Sequence, residues 1–171
     1  MFTNTPHTST PTYFIGLDLG QAQDYSALCV MERYGTHSDN YVMHCRHLQR
    51  WQLRTSYPTI VADTVRIVTS KKIQRWPGVS SPSLVVDATG VGAPVIDLFK
   101  RERMDAHLMP VQITGGADES TENGFHRVPK RNLVSTVQVY LQENRLHVAE
   151  KLPEAKTLTR ELENFQVKIN D

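Results

Sequence analysis

The sequence predicts an α/β domain on a mixed sheet, an antiparallel three-strand meander extended by parallel strands, with helices on both faces. Three observations carry this. Between Tyr13 and Leu48, apolar or alternating segments follow one another with only turn-like links, the pattern of consecutive hairpins. From Thr55 onward, segments of helical period alternate with short apolar runs, the pattern of strand–helix–strand units. Two of the apolar runs, Phe14-Ile15-Gly16-Leu17-Asp18-Leu19-Gly20 and Leu84-Val85-Val86-Asp87-Ala88-Thr89-Gly90, end in an aspartate and a glycine-bearing turn.

Taken in order, Tyr13 to Leu19 reads as the first strand. Gly20 to Asp24 is a polar turn, and Tyr25 to Arg33 resumes as the second strand. Another turn lies around Tyr34 to Asn40, and Tyr41 to Leu48 alternates as a third strand. Ser56 or Thr55 caps a helix with Pro58 in its first turn, and Ile60, Val61, Val65 and Val68 give it an apolar face. Trp76-Pro77-Gly78 is expected to stop it. A Ser/Pro-rich link leads to the strand Leu84 to Asp87. Ala93-Pro94 opens a helix with Val95, Leu98 and Phe99 inward and Lys100 to Arg103 near its end, where positive charge suits the helix dipole. Ala106 to Thr114 is the next strand, and Gly115 to Val128 reads as a loop. Pro129 starts a third helix with Leu133, Val137, Tyr140 and Leu141 on one stripe. Leu146 to Ala149 is a short strand, Pro153 opens the last helix through Leu158 and Leu162, and Phe165 to Ile169 alternates like a final strand.

A chain of 171 residues fits one domain, able to bury roughly 70% of its unfolded surface. Residues 1–12 are rich in Thr, Ser and Pro and lack the basic and apolar parts of a signal peptide. They read as a disordered leader, with the domain running from 13 to 171. No apolar stretch approaches the roughly 20 residues that cross a bilayer, so no membrane role is expected. The two cysteines, Cys29 and Cys45, form no disulfide framework, and a reducing cytosol is the default. A net charge of +1 gives no general pull toward nucleic acid. Contacts with DNA therefore fall to local clusters: Lys71-Lys72 with Arg75, Lys100-Arg101 with Arg103, and Arg127 with Lys130-Arg131.

A carboxylate at the tip of a buried strand is costly without a partner, and a divalent cation between two such tips is a good one. If their strands are neighbours, Asp18 and Asp87 meet at one sheet edge and share Mg²⁺ or Mn²⁺, hard ions that take oxygen ligands. The alternative is that each aspartate caps its own turn. Finding the pattern twice, on strands this apolar, favours the shared ion. Thr89-Gly90-Val91-Gly92 offers backbone amides to a phosphate at a helix N-terminus, or is a turn that needs glycine dihedrals. No G-x-x-x-x-G-K-[ST] loop is present. His44-Cys45-Arg46-His47 invites a zinc reading. On a regular strand, however, Cys45 and His47 share one face and His44 the other, and no second ligand pair exists. Arg127, Lys130 and Arg131 either grip DNA phosphates or form a solvated helix start.

Ile15-Gly16-Leu17-Asp18-Leu19-Gly20-Gln21-Ala22-Gln23-Asp24-Tyr25-Ser26-Ala27-Leu28 resembles the first-strand motif of the nuclease domains of phage terminase large subunits. Val86-Asp87-Ala88-Thr89-Gly90-Val91-Gly92-Ala93-Pro94-Val95 resembles their second acidic motif. Val128-Pro129-Lys130-Arg131-Asn132-Leu133 and Leu158-Thr159-Arg160-Glu161-Leu162-Glu163-Asn164-Phe165 are similar to later segments. The resemblance implies an RNase H-like fold and a domain that cuts concatemeric viral DNA with Mg²⁺ or Mn²⁺ during packaging, in the bacterial host cytoplasm. It implies an ATPase domain, a portal and a small terminase subunit as partners, with Asp18 and Asp87 as the first two metal-binding acids. It also implies a third acid on a helix beyond the strand that here ends at Asp171. Neither that helix nor the ATPase half is in the 171 residues, so the chain reads as a truncated fragment or a stand-alone remnant, with Asp171 or Asp24 as substitute acids. Two other functions remain in view. One is a non-catalytic module that binds DNA or a packaging partner. The other is an actin-like or sugar-kinase-like nucleotide-binding fragment, suggested by Leu17-Asp18-Leu19-Gly20 but opposed by Gln21 where a Thr or Ser is usual.

Overall fold

A computed structural model describes residues 10–20, 23–37, 40–74 and 81–165. β1 (Thr12–Asp18) alternates buried Tyr13, Ile15 and Leu17 with half-buried Phe14 and Gly16, the period of a strand covered more deeply on one side. β2 (Ala27–Tyr34) pairs antiparallel with β1, and β3 (Val42–Arg50) pairs antiparallel with β2, which is the expected meander. α1 (Tyr57–Val68) then returns the chain across the sheet. The Ser56 side chain accepts the Thr59 N–H at 3.4 Å, and Ile60, Val61, Thr64 and Val68 are buried.

β4 (Ser83–Asp87) lies parallel to β1 on the side away from β2. α2 (Ala93–Arg101) follows, capped by Gly92 at φ 66°, a left-handed conformation that glycine adopts at little cost. Its buried residues are Val95, Ile96 and Phe99, so Ile96 takes the place expected of Leu98, which is only half-buried. β5 (His107–Thr114) is parallel to β4. The segment expected to be a loop instead holds a hairpin, β6 (Ser120–Glu122) and β7 (Phe125–Pro129), turning at Asn123 and Gly124 with φ of 52° and 81°. Both angles are positive, the condition for the tight turn that Asn-Gly favours. α3 (Lys130–Gln142), β8 (Leu146–Val148) and α4 (Ala155–Glu163) complete the described chain. The sheet order is β6-β7-β5-β4-β1-β2-β3-β8, with β5 parallel to β7 and β3 parallel to β8.

The main core lies on the α1 and α2 side, where Ile15, Leu17, Leu28, Val30, Leu84 and Val86 meet Ile60, Val68, Ile96 and Phe99. The opposite face, with Gly16, Ala27, Cys29, Val85 and Val111, looks toward Leu133 of α3 and Leu158 of α4 across a cavity of about 490 Å³. Helices therefore cover both faces as expected, but unequally. The expected α3 stripe forms, yet Leu133, Val137 and Leu141 stay 39–44% exposed and no α3 residue is buried.

β3 carries a bulge. Cys45 lies opposite Met31 and His47 opposite Val30, leaving Arg46 as the extra residue. The regular alternation read from the sequence therefore fails here. His47 goes with Val30 on the core face, and Cys45 goes with Met31 on the other. Arg46 pairs with Glu32, a buried carboxylate that also accepts the Tyr13 hydroxyl at 2.8 Å. α1 ends at Val68, earlier than expected, and Trp76-Pro77-Gly78 lies outside the described residues. Residues 1–9 of the expected leader and residues 166–169 of the expected last strand also lie outside them; Thr12 already belongs to β1. Among the described residues no helix is long and apolar enough to cross a membrane.

Phe99 is wholly buried at the centre of the α2 contact with the sheet. Phe99→Ala is expected to lower unfolding free energy by about 3–5 kcal/mol, read as a fall in the urea midpoint at unchanged slope.

Candidate metal centre

The register of β1 and β4 aligns Leu17 with Val86 and Asp18 with Asp87. Neighbouring strands lie about 4.8 Å apart, so the two carboxylates leave the sheet side by side at its carboxyl edge. The place is also where the chain order reverses: β2 and β3 build outward from β1 in one direction, β4 and β5 in the other. Open α/β sheets gather ligands outside strand ends at such a point. Both aspartates line the cavity between the sheet and the α3–α4 layer.

The turn after each acid is braced. Gly20 N–H donates to Ser26 Oγ at 3.0 Å, and the Tyr57 hydroxyl donates to Gly20 O at 3.3 Å. A Cβ on Gly20 would lie 2.2 Å from the Asp24 carbonyl oxygen, so this turn closes only with glycine. Beyond β4, Asp87 Oδ1 accepts the Thr89 N–H at 2.9 Å and the Thr89 hydroxyl at 2.5 Å. Thr89 Oγ1 in turn accepts the Ile113 N–H at 2.8 Å, tying the turn to β5. The turn-capping role is thus real for Asp87, but it occupies one oxygen. Oδ2 makes no hydrogen bond among the described residues.

Burial raises the pKa of Asp18 above the ordinary aspartate range, and the charges of Asp87 and then Asp24 raise it further. The Leu19 N–H, which donates to the carboxylate, opposes the shift. Like charges held together in a half-dry notch are an electrostatic demand for a cation. The donors are carboxylate oxygens, which fit a hard ion that keeps most of its waters. Asp24 is the nearby third acid in charge, while Asp171 lies outside the described residues. Among the described residues, no three or more His, Cys, Asp or Glu side chains converge on one point.

Topology selects among the basic clusters. β7 is parallel to β5, so Arg127 and the α3 start at Lys130 and Arg131 lie toward the carboxyl edge, as the acids do. Lys71-Lys72 and Lys100 to Arg103 follow helices that run back from that edge, which puts them at the opposite one; Arg75 lies outside the described residues. Arg127 pairs with Glu122 at 3.0 Å, and Arg131 donates to the Ala117 carbonyl at 3.0 Å. Lys130 has no hydrogen-bond or ion-pair partner among the described residues. In Thr89 to Gly92, the Thr89 N–H serves Asp87 and the Gly92 N–H donates to Ala88 O, so at least two of the four amides are committed. Sequence reasoning missed Glu154 and Glu161, which line the same cavity as Asp18 and Asp87. Their seven-residue spacing, two helical turns, was the available signal. Glu154 pairs with Arg50 at 3.5 Å.

A carboxyl group with a raised folded pKa binds its proton more tightly when folded, so stability falls as pH rises through the interval above the ordinary aspartate value. Asp18→Asn removes that loss. The variant is expected to melt higher than the wild type near pH 7, with the gap closing below about pH 4, where both chains are uncharged at this position. Melting scans across pH check it, and a variant that melts no higher near pH 7 overturns it.

Residues 15–170 match the family described as the terminase RNaseH-like domain. No curated protein matches. Among solved structures, the large terminase nuclease of thermophilic phage G20c with bound magnesium aligns at TM-score 0.56 and 20% identity, over 91% of this chain and 65% of that one. The chain thus spans slightly less than two thirds of that nuclease. The human cytomegalovirus terminase nuclease domain, soaked with manganese, aligns at TM-score 0.60 and 9% identity, over 95% of this chain and 78% of that one. Its inhibitor-bound form aligns at 0.61 and 9%, over 91% and 76%. At these identities the structural neighbours speak for the fold; the family match covers nearly the whole sequence, and the chain belongs to the terminase RNaseH-like domain family.

Proposed function

We propose that the chain is a metal-dependent endonuclease domain acting on double-stranded DNA, cutting concatemers during phage packaging. The observation that carries the reading is the in-register pair Asp18 and Asp87 at the reversal point of this fold. These two carboxylates would hold Mg²⁺ or Mn²⁺, the ions named for the phage and cytomegalovirus neighbours. When bound, a pair of such ions supplies an activated water and stabilises the leaving oxygen of a phosphodiester. The chain's own residues position. Thr89 fixes the Asp87 carboxylate through one oxygen, and the Gly20–Ser26–Tyr57 contacts hold the turn behind Asp18. Lys130, with Arg127 and Arg131, would take DNA phosphates on the same edge. The proposal extends to a portal, a small terminase subunit and an ATPase domain as partners, in the cytoplasm of a bacterial host.

One observation favours a second reading, in which the domain binds DNA or a packaging partner without cutting. Among the described residues no third metal-binding side chain joins the two aspartates.

Plasmid nicking with Mn²⁺ separates the two. Under the first reading, Asp18→Ala and Asp87→Ala each cut the rate by roughly 100-fold or more, beyond what loss of an outer partner of a metal ligand costs. Equal nicking by wild type and Asp18→Ala eliminates it, and DNA binding without cleavage under any divalent ion selects the second. For the interface, Lys130→Ala is expected to lower the slope of log affinity against log salt by about 1, measured by anisotropy of a labelled duplex.

A further inference from the structure

Two short patterns mirror each other across the β2–β3 pairing, Cys29-Val30-Met31 and Met43-His44-Cys45. Alternation puts the outer residues of each triplet on one face, and the register sets Cys45 opposite Met31. Cys29 Sγ lies 3.5 Å from Cys45 Sγ and 3.3 Å from Met31 Sδ. Cys29, Met31, Met43 and Cys45 line one cavity of about 390 Å³ beneath Val137 of α3 and Leu158 of α4. Both cysteines are free thiols.

We propose that Cys29 and Cys45, with Met31 and Met43 beside them, form a binding site for a soft monovalent cation of the Cu(I) class. Thiolate and thioether sulfur are the donors that select such an ion, and hard Mg²⁺ or Mn²⁺ finds no carboxylate among the residues that line this cavity. Zinc sites take about four nitrogen, sulfur or carboxylate donors in tetrahedral array, and among the described residues only two such side chains meet here. Binding replaces two S–H bonds by two metal–sulfur bonds and releases two protons, with no change of oxidation state. The thiols already share a hydrogen bond, which holds the Cys29 pKa up and, as the larger influence on Cys45, brings its pKa down. One χ1 torsion per cysteine adjusts the sulfur separation. The site uses neither Asp18 nor Asp87, so it stands apart from the nuclease reading.

The test is competition for Cu(I) between the oxygen-free, reduced 171-residue chain and the chelator bicinchoninate. The wild type is expected to withdraw one Cu(I) per chain. Cys29→Ser and Cys45→Ser each weaken that affinity by roughly 100-fold or more, and Met31→Leu, which keeps volume, by roughly tenfold. Circular dichroism establishes that each variant is folded. The proposal is overturned if the wild type leaves copper with the chelator, or if a folded serine variant competes as well as the wild type. Should the serine variants not fold, unchanged affinity in Met31→Leu overturns it.

Discussion

The parallel pairing of β1 with β4 is the constraint on which the rest depends. Ile15, Leu17, Leu84 and Val86 are all nearly inaccessible on the α1–α2 side, so the register cannot slip by one residue without turning these side chains outward. The same register delivers Asp18 and Asp87 together. Hydrophobic burial, which carries no information about metal or DNA, thereby fixes the separation of two carboxylates. Each acid is the last residue of its strand, and neither is buried. That accounts for aspartate being tolerated directly after such apolar runs.

The two faces of the sheet are stabilised differently. On the α1–α2 side, side chains such as Phe99, Ile96 and Val68 are fully enclosed, each worth about 1.5–3 kcal/mol of burial. On the other side, α3 buries no residue and two cavities separate it and α4 from the sheet. Fewer buried apolar contacts mean a lower free energy of local opening. The acidic notch therefore sits on a rigid floor with a weakly held cover. The floor fixes the geometry of the acids, and the cover is the layer with fewer buried side chains.

Much of this was legible in the sequence because burial imposes a period. The meander, the Ser56 cap, Pro94 in the first turn of α2 and the convergence of Asp18 with Asp87 all followed from apolar spacing and turn chemistry. The β6–β7 hairpin was missed because β6 is Ser-Thr-Glu and fully exposed, so it has no apolar alternation. Its only local sign was Asn123-Gly124, which the loop reading passed over. Ile96 was missed because a short helix leaves its inward direction ambiguous by one position. The spacing of Glu154 and Glu161 puts them on one face of α4, but only the packing of α4 shows that this face meets the cavity. The failure of alternation at His47 had no apolar cue at all, since it depends on an extra residue in one strand of a pair.

That extra residue, Arg46, has a meaning for how the strand tolerates change in length. Excising it would leave Cys45 against Met31 and His47 against Val30, an ordinary ladder with every neighbour kept. What would vanish is the guanidinium beside Glu32, a carboxylate only 7% exposed and already bonded to Tyr13. A deletion silent in topology would thus take the counter-ion from a buried carboxylate and leave it only its hydroxyl partner or partners. The irregularity is a counter-ion threaded into the sheet, and its loss would cost the interior its charge balance while the strand pairing stayed as it is.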